Sequence, residues 1–149
     1  MDDVEIWTIG FTQKPAKKFF ELLKNSGAKR IVDVRLNNVS QLAGFAKKED
    51  LKYFAQTICG MDYVHMPDLA PTADMLDQYK KEGGDWSEYE KRFLGLMEQR
   101  RIEEQMSPDL LRGGCLLCSE HQPHHCHRRL VADYLCKRWG SAVKVTHLV

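Results

Sequence analysis

Short apolar runs alternate along the chain with stretches in which apolar residues recur every three or four positions. The first pattern is typical of buried strands, and the second of helices that bury one face. Strands are predicted at 5–10, 30–35, 63–66, 115–118 and 143–149. Helices are predicted at 15–26, 48–58, 74–81, 87–105 and 126–138. Because parallel strands need crossover connections, we expect one α/β domain over residues 1–149, with a mainly parallel sheet of about five strands and helices on both faces.

Turn and cap residues set several of these boundaries. Gly10 precedes Thr12 at a strand–turn–helix junction, and Thr12 is expected to be the N-cap of the first helix. The free N–H groups at such a helix start could instead hold a phosphate or a carboxylate. Farther along, Ser87 with Glu90 three residues later has the pattern of a capping box, which predicts a helix that begins there.

Composition and charge limit the class of protein. A chain of 149 residues with 43% hydrophobic and 29% charged positions fits a globular domain and excludes a disordered one. The 22 Lys and Arg residues against 21 Asp and Glu residues give no overall basic signature of nucleic-acid binding. The chain has neither an apolar run of the roughly 18 residues that a membrane span needs nor the pattern of a secretory signal. We therefore predict a cytoplasmic protein without a membrane partner.

The five cysteines do not suggest a disulfide framework in a chain of this size, so we expect reduced thiols. Cys59 and Cys136 lie in predicted helices and Cys115 begins a predicted strand, which predicts that these three thiols are packing groups. Cys115 and Cys118 are three residues apart on that strand and face opposite sides, so they are not expected to share a metal. Cys118 and Cys126 remain as the candidates for chemistry.

Polar residues gather at the carboxyl ends of the predicted strands, where parallel α/β sheets bind their ligands. Asp33 and Arg35 are two residues apart and lie on one face of the second strand. They form either a structural ion pair or a carboxylate acid–base group beside an anion-binding guanidinium. His65 ends the third strand, either as a hydrogen-bonded core residue or as a substrate-binding group.

The segment from Cys118 to Arg128 combines thiol, acid, imidazole and guanidinium groups, and three interpretations stay open. Cys118, Cys126 and histidines could bind zinc. Alternatively, Cys126 is a reactive thiol whose pKa is lowered by the helix start and by the neighbouring His127 and Arg128. In the third interpretation, Glu120 leads acid–base chemistry while His127 and Arg128 bind an anionic ligand.

The last helix orients two of these groups. His127 falls on the apolar stripe of the helix and is expected to point inward. Arg128 is turned by about 100° from it, which leaves its side chain free to reach the sheet edge or the solvent.

These motifs resemble a small microbial family catalogued as domain of unknown function 488. The resemblance rests on Thr8-Ile9-Gly10, Val32-Asp33-Val34-Arg35 with Ser40 downstream, Tyr63-x-His65-x-Pro67, Cys118-x-Glu120-x-x-Pro123-x-x-Cys126-His127-Arg128, the Leu130-x-Ala132 helix and His147-Leu148. It implies a compact α/β domain with a polar pocket, and it brings no established activity. The family usually has His after Gly10 and Pro shortly after Arg35. This chain has Phe11 and Asn37-Asn38-Val39 there, so a site that uses the missing His is altered.

The favoured hypothesis is an enzyme, a hydrolase or a transferase, that acts on a small anionic or nucleotide-like substrate at the carboxyl edge of the sheet. The predicted catalytic residues are Cys126, Glu120, Asp33, Cys118 and His127. The predicted substrate-binding residues are Arg35, Arg128, Gly10, Thr12 and His65.

Two alternatives come from other classes of function. The first is a zinc-binding module that uses Cys118, Cys126 and His127. The second is a nucleic-acid-binding module, because the chain from Arg100 onward has eight Lys and Arg residues against five Asp and Glu residues. The sequence identifies neither a cofactor nor an oligomeric state.

Overall fold

The computed structural model describes residues 4–36, 45, 47–80, 83–118, 126–140 and 143–149. The strands are β1 (Val4–Gly10), β2 (Arg30–Asp33), β3 (Asp62–His65), β4 (Gly114–Cys118) and β5 (Val143–Leu148). The α-helices are α1 (Ala16–Ser26), α2 (Lys48–Phe54), α3 (Ala73–Lys80), α4 (Trp86–Arg100), α5 (Ile102–Gln105), α6 (Pro108–Leu111) and α7 (His127–Trp139). A π-helical turn (Ala55–Cys59) continues α2, and a 3₁₀ turn (Pro67–Leu69) follows β3.

The five strands form one sheet in the order β3-β2-β4-β1-β5, and every neighbouring pair is parallel. The predicted α/β fold class and parallel sheet are confirmed. In the register of the sheet, Gly10 of β1 lies opposite Cys118 of β4, and Asp33 of β2 lies between His65 of β3 and Leu117 of β4. The ends of four strands therefore bring their side chains to the same edge.

Two apolar layers cover the two faces of the sheet. On the α1 face, helices α1 and α2 contribute Phe19 and Leu51 to a layer that also contains Cys115 and Leu117 of β4. The α7 face is covered by α3 to α7. Its layer contains Leu116 and Cys118 of β4 with Tyr89, Phe93, Ile102, Leu111, Leu130 and Val131. Alternation along β4 thus separates Cys115 from Cys118 as predicted, because successive strand residues face opposite sides.

The connections that follow β1 and β4 run to opposite faces of the sheet. β1 leads into α1 on one face of the sheet, whereas the neighbouring β4 is followed in the described chain by α7 on the other face. The chain ends of these two strands therefore diverge at the carboxyl edge. Such a switch point is where open parallel sheets bind their ligands.

Several predicted boundaries are wrong for local reasons. Thr12 is exposed and is not the N-cap of α1, because the helix begins at Ala16 after the extended Pro15. The capping box at Ser87 is not formed, since α4 begins one residue earlier with Asp85 at the N-cap position. The predicted helix 87–105 is divided at Arg101, whose φ of 53° is left-handed.

One short helix was missed between the long helices and β4. In α6, Ser107 is the N-cap and its Oγ accepts a hydrogen bond from the Asp109 N–H at 3.2 Å. The predicted helix 48–58 combines α2 with the π-helical turn, which ends at Gly60 with φ of 65°. Among the helices that the structure describes, none has the length and apolar character needed to cross a membrane.

Candidate active site

Asp33 and Arg35 form a buried ion pair at the end of β2. Asp33 Oδ1 accepts hydrogen bonds from the Arg35 backbone N–H at 3.1 Å and from Nε at 2.8 Å, and Oδ2 accepts one from Nη2 at 2.8 Å. Tyr63 donates its hydroxyl to the same Oδ2 at 2.5 Å. Asp33 is 0% and Arg35 is 2% exposed. The two-pronged contact fixes the guanidinium in one orientation.

The guanidinium of Arg35 has a second terminal nitrogen, Nη1, that Asp33 does not contact. Arg35 Nη1 is buried and has no hydrogen-bond partner among the described residues. The guanidinium carbon lies 5.5 Å from the centre of the Phe11 ring, which belongs to the loop after β1. The contact with Asp33 thus leaves one buried donor of Arg35 unused among the described residues.

His127 links the start of α7 to the end of β2. Its ring is buried, and Nε2 lies 2.6 Å from the carbonyl oxygen of Val34. A carbonyl only accepts hydrogen bonds, so Nε2 carries the proton and Nδ1 of the neutral ring presents its lone pair. Nδ1 lies 3.4 Å from Cys118 Sγ. The predicted inward orientation of His127 is confirmed, and its second ring nitrogen faces the sulfur of Cys118.

The sulfurs of Cys118 and Cys126 are paired as a disulfide. The prediction of reduced thiols is wrong for this pair, because the end of β4 and the N-cap position of α7 bring the two side chains together. With His127 Nδ1 they form a buried group whose ligand atoms lie within 4.8 Å of one another. We call Cys118, Cys126 and His127 the thiol cluster.

The other three cysteines are free and lie outside the thiol cluster. Cys115 is fully buried on the α1 face, where burial raises the pKa of its thiol. Cys59 and Cys136 are half-buried, and burial raises the pKa of each of these thiols as well. Raised pKa values keep all three protonated near neutral pH, which makes them weak nucleophiles.

Two further cations lie at this edge. Arg128 is fully buried, so of the two predicted directions, the sheet edge and the solvent, the solvent is excluded. The first turn of α7 packs it inside. Lys14 is 6% exposed, and its backbone N–H donates to the Phe11 carbonyl oxygen at 3.2 Å in the turn after β1. Burial, then the charges of Arg128 and Lys18, lower the pKa of Lys14 to about 8.

Sequence reasoning missed Lys14 and Tyr63. Lys14 stands directly before Pro15 in the loop that leaves the carboxyl end of β1, and this position was the available signal. Tyr63 is two residues before His65 on the same strand face, which directs its hydroxyl to Asp33. Both residues extend the polar set beyond the predicted one.

The remaining predicted site residues are placed as follows. His65 donates Nε2–H to the Arg35 carbonyl oxygen at 2.8 Å, as a hydrogen-bonded residue of the sheet edge. Gly10 is buried opposite Cys118, whereas Thr12 is exposed in the turn. Glu120 lies outside the described residues. The structure thus brings Asp33, Arg35, His65, Cys118, Cys126, His127 and Arg128 to one edge of the sheet.

The basic residues of α7 are largely neutralised by acids. Arg129 contacts Asp133 at 3.2 Å and Glu90 at 3.6 Å. Arg138 lies 3.7 Å from both Glu98 and Glu103. Because Arg128 is buried, the helix does not present the continuous basic face that would favour a nucleic-acid backbone.

Comparison with protein families identifies the relatives of this chain. The sequence model of the family described as "Domain of unknown function DUF488" matches residues 15–135. Comparisons with the curated proteins and with the solved structures gave no match. The matched range contains the motifs around Asp33, His65 and Cys118, which build the site. The chain therefore belongs to the DUF488 family.

Proposed function

We propose that the protein is an enzyme that binds a small anionic substrate at the carboxyl edge of the sheet beside β4 and attacks it with the thiol of Cys118. The observation that carries the proposal is the position of His127. Its Nε2–H donates to Val34, and its Nδ1 faces Cys118 Sγ at 3.4 Å. A nucleophile in contact with an oriented base is the arrangement of thiol-dependent group-transfer enzymes.

The proposed step transfers the Cys118 proton to His127 Nδ1 as the thiolate attacks the substrate. The new bond to sulfur forms while the bond to the leaving group breaks, and the leaving group takes the proton from His127. Water or a second acceptor then removes the group from sulfur, which makes the enzyme a hydrolase or a transferase. Before Cys118 reacts, an external dithiol reduces the Cys118–Cys126 disulfide to two thiols and is itself oxidised to a disulfide.

The cationic surroundings support a thiolate and an anionic substrate together. Arg128 follows His127 directly and is fully buried at the start of α7. The N-terminus of a helix and nearby cations both stabilise a thiolate. The same charges raise the local concentration of an anion.

Two alkylating reagents that differ in charge test this proposal on the reduced protein. We expect mass spectrometry to find Cys118 or its partner Cys126 labelled about tenfold or more faster than Cys59, Cys115 and Cys136, since His127 lies against the sulfur of Cys118 and burial raises the pKa of the other three thiols. Iodoacetate, an anion, should be preferred over neutral iodoacetamide at this cluster. His127→Gln keeps an N–H for Val34 and removes the base, so it should slow the labelling of Cys118.

The half-buried Cys136 is the internal control, because no histidine among the described residues is placed against its thiol. Equal labelling rates for all five cysteines, or unchanged labelling of Cys118 in folded His127→Gln, would contradict the proposed nucleophile.

A second candidate function is metal binding by the thiol cluster. The three ligand atoms lie within 4.8 Å of one another and all three residues are buried. His127 also donates its other ring N–H to a backbone carbonyl, which is the usual second contact of a metal-binding histidine. Two cysteines and one histidine fit a zinc site with an open fourth position, where the ion would polarise a bound substrate.

This candidate predicts about one zinc ion per chain after purification of untagged, reduced protein without chelators. Elemental analysis measures it. Cys126→Ser should lose the ion and Cys136→Ser should keep it. Reduced protein with no bound zinc, even after incubation with the ion, would reject the metal site and leave the thiol nucleophile as the sole proposal.

A further inference from the structure

The thiol cluster contains the parts of a redox-active cysteine pair. Cys118 ends β4, Cys126 stands at the N-cap position of α7, and their sulfurs are joined in the structure. The imidazole of His127 lies beside this bond, with Nδ1 3.4 Å from Cys118 Sγ. A thiol next to a base, with a second thiol within bonding reach, is the arrangement that undergoes reversible oxidation in proteins.

The other cysteines are placed differently. Cys59, Cys115 and Cys136 are free, and burial raises the pKa of each of their thiols. The thiolate is the form that reacts with oxidants, so these three protonated thiols react slowly near neutral pH. Oxidation is therefore directed to Cys118 and Cys126.

We propose that the thiol cluster reduces small hydroperoxides, with Cys118 as the thiol that the peroxide oxidises and Cys126 as the thiol that resolves the product. The proposal rests on the proposed function, because it uses the same Cys118 nucleophile and the same His127 base. It adds a second class of substrate. It also regulates group transfer, since the sulfur of Cys118 does not attack a substrate while it is bonded to Cys126.

The cycle has three balanced steps. The Cys118 proton moves to His127 as the sulfur attacks one peroxide oxygen; the O–O bond breaks, and the alcohol or water that leaves takes the proton. Cys126 then attacks the resulting sulfenic acid, so that the S–S bond forms, the S–O bond breaks and water leaves. A compact external dithiol reduces the disulfide to two thiols and is itself oxidised to a disulfide.

The burial of the sulfurs favours a hydroperoxide over a disulfide as the oxidant. Cys118 is 3% exposed and Cys126 is 2% exposed. Oxidation by a disulfide passes through a mixed disulfide, which leaves half of the oxidant attached to the buried sulfur. A hydroperoxide leaves a single oxygen atom on Cys118. The oxidant is therefore expected to be small.

Hydrogen peroxide and oxidised glutathione, added separately to the reduced, metal-free protein, test the proposal. Mass spectrometry of acid-quenched samples measures the oxidation of each cysteine. We expect hydrogen peroxide to oxidise Cys118 about tenfold or more faster than Cys136, and to close the Cys118–Cys126 disulfide. Faster closure by oxidised glutathione at equal concentration, or one rate for all five cysteines, overturns the proposal.

Turnover is measured with dithiothreitol in excess. The protein should then consume hydrogen peroxide over repeated cycles, faster than dithiothreitol alone does. A single round of oxidation without turnover overturns the catalytic activity.

Three variants assign the roles of the residues. In Cys126→Ser the oxidation of Cys118 should stop at the sulfenic acid, which dimedone traps. His127→Gln should slow the oxidation of Cys118 by about tenfold at pH 7, and the difference should shrink above about pH 8.5, where a thiol ionises without a base. Cys136→Ser is the control and should change neither result. Absence of the trapped sulfenic acid in folded Cys126→Ser, or an unchanged rate in folded His127→Gln, contradicts these roles and overturns the proposal.

The two proposals fail separately. If Cys118 is alkylated selectively but hydrogen peroxide shows no preference for it, peroxide reduction is wrong and the group-transfer enzyme stands. If hydrogen peroxide closes the disulfide rapidly while the alkylating reagents show no preference for the thiol cluster, peroxide reduction stands and the group-transfer enzyme is wrong.

Discussion

Asp33→Asn is expected to lower the free energy of unfolding by about 3–5 kcal/mol, the loss typical of breaking one side of a buried ion pair. The carboxylate accepts four hydrogen bonds, three from Arg35 and one from the Tyr63 hydroxyl. Asparagine has nearly the same size but no charge, so it leaves the guanidinium of Arg35 buried without its counterion. Denaturation in urea, followed by circular dichroism, measures the loss.

Two further variants test whether the loss of stability comes from the unpaired charge of Arg35. The double variant Asp33→Asn with Arg35→Met removes both charges and should recover a large part of the lost stability, because no unpaired charge remains. Asp133→Asn makes the same substitution in an exposed ion pair with Arg129 and should cost at most about 0.5 kcal/mol. If Asp33→Asn lowers the free energy of unfolding by less than about 1 kcal/mol, the Asp33–Arg35 ion pair does not stabilise this edge of the sheet.

Lys14→Met is expected to stabilise the protein by up to about 3 kcal/mol near pH 7. The pKa of Lys14 is lowered to about 8 in the folded chain by burial and by Arg128, against about 10.4 in an unfolded chain. Below pH 8 the folded protein therefore holds a buried charge that the unfolded chain keeps in water. Methionine has a similar length and carries no charge.

The lowered pKa of Lys14 also determines how the stability depends on pH. Between about pH 8 and 10.4 the unfolded chain binds more protons than the folded one, so the stability of the natural protein rises over this range. The advantage of Lys14→Met should therefore be largest below pH 8 and disappear above about pH 10.4. Thermal unfolding at several pH values measures it. Lys17→Met provides the exposed control on α1. Equal stability of Lys14→Met and the natural protein at pH 7 would mean that the site already compensates this charge.

Periodicity was sufficient to predict the fold class because both faces of the sheet are covered. Each strand is then a short apolar run, and each long helix buries one stripe, as in α1 with Phe19, Phe20 and Leu23. Boundaries that depend on single backbone conformations were not predictable in the same way. Arg101 takes a left-handed φ that a non-glycine residue rarely adopts, and this divides α4 from α5.

The site was predictable where strand ends determine it. Asp33, Arg35, Cys118 and His127 follow from the rule that parallel strands bring their carboxyl ends to one edge. Burial was harder to predict, since Arg128 and Lys14 are long cations that ordinarily reach the solvent. Their burial depends on packing between α7, the β1–α1 loop and the sheet, and one sequence does not contain these distances.

The position of β4 has a consequence for synthesis on the ribosome. β4 lies between β1 and β2 in the sheet, yet it begins about 80 residues after the end of β2 and about 100 residues after the end of β1. Until Gly114–Cys118 has left the ribosomal tunnel, β1 and β2 have no common neighbour, and their facing edges stay open to other chains. Such late, long-range pairing is slow to fold and exposed to aggregation. We therefore expect β4 to insert late in folding. The burial of the charged groups and the assembly of the thiol cluster then take place in the same step.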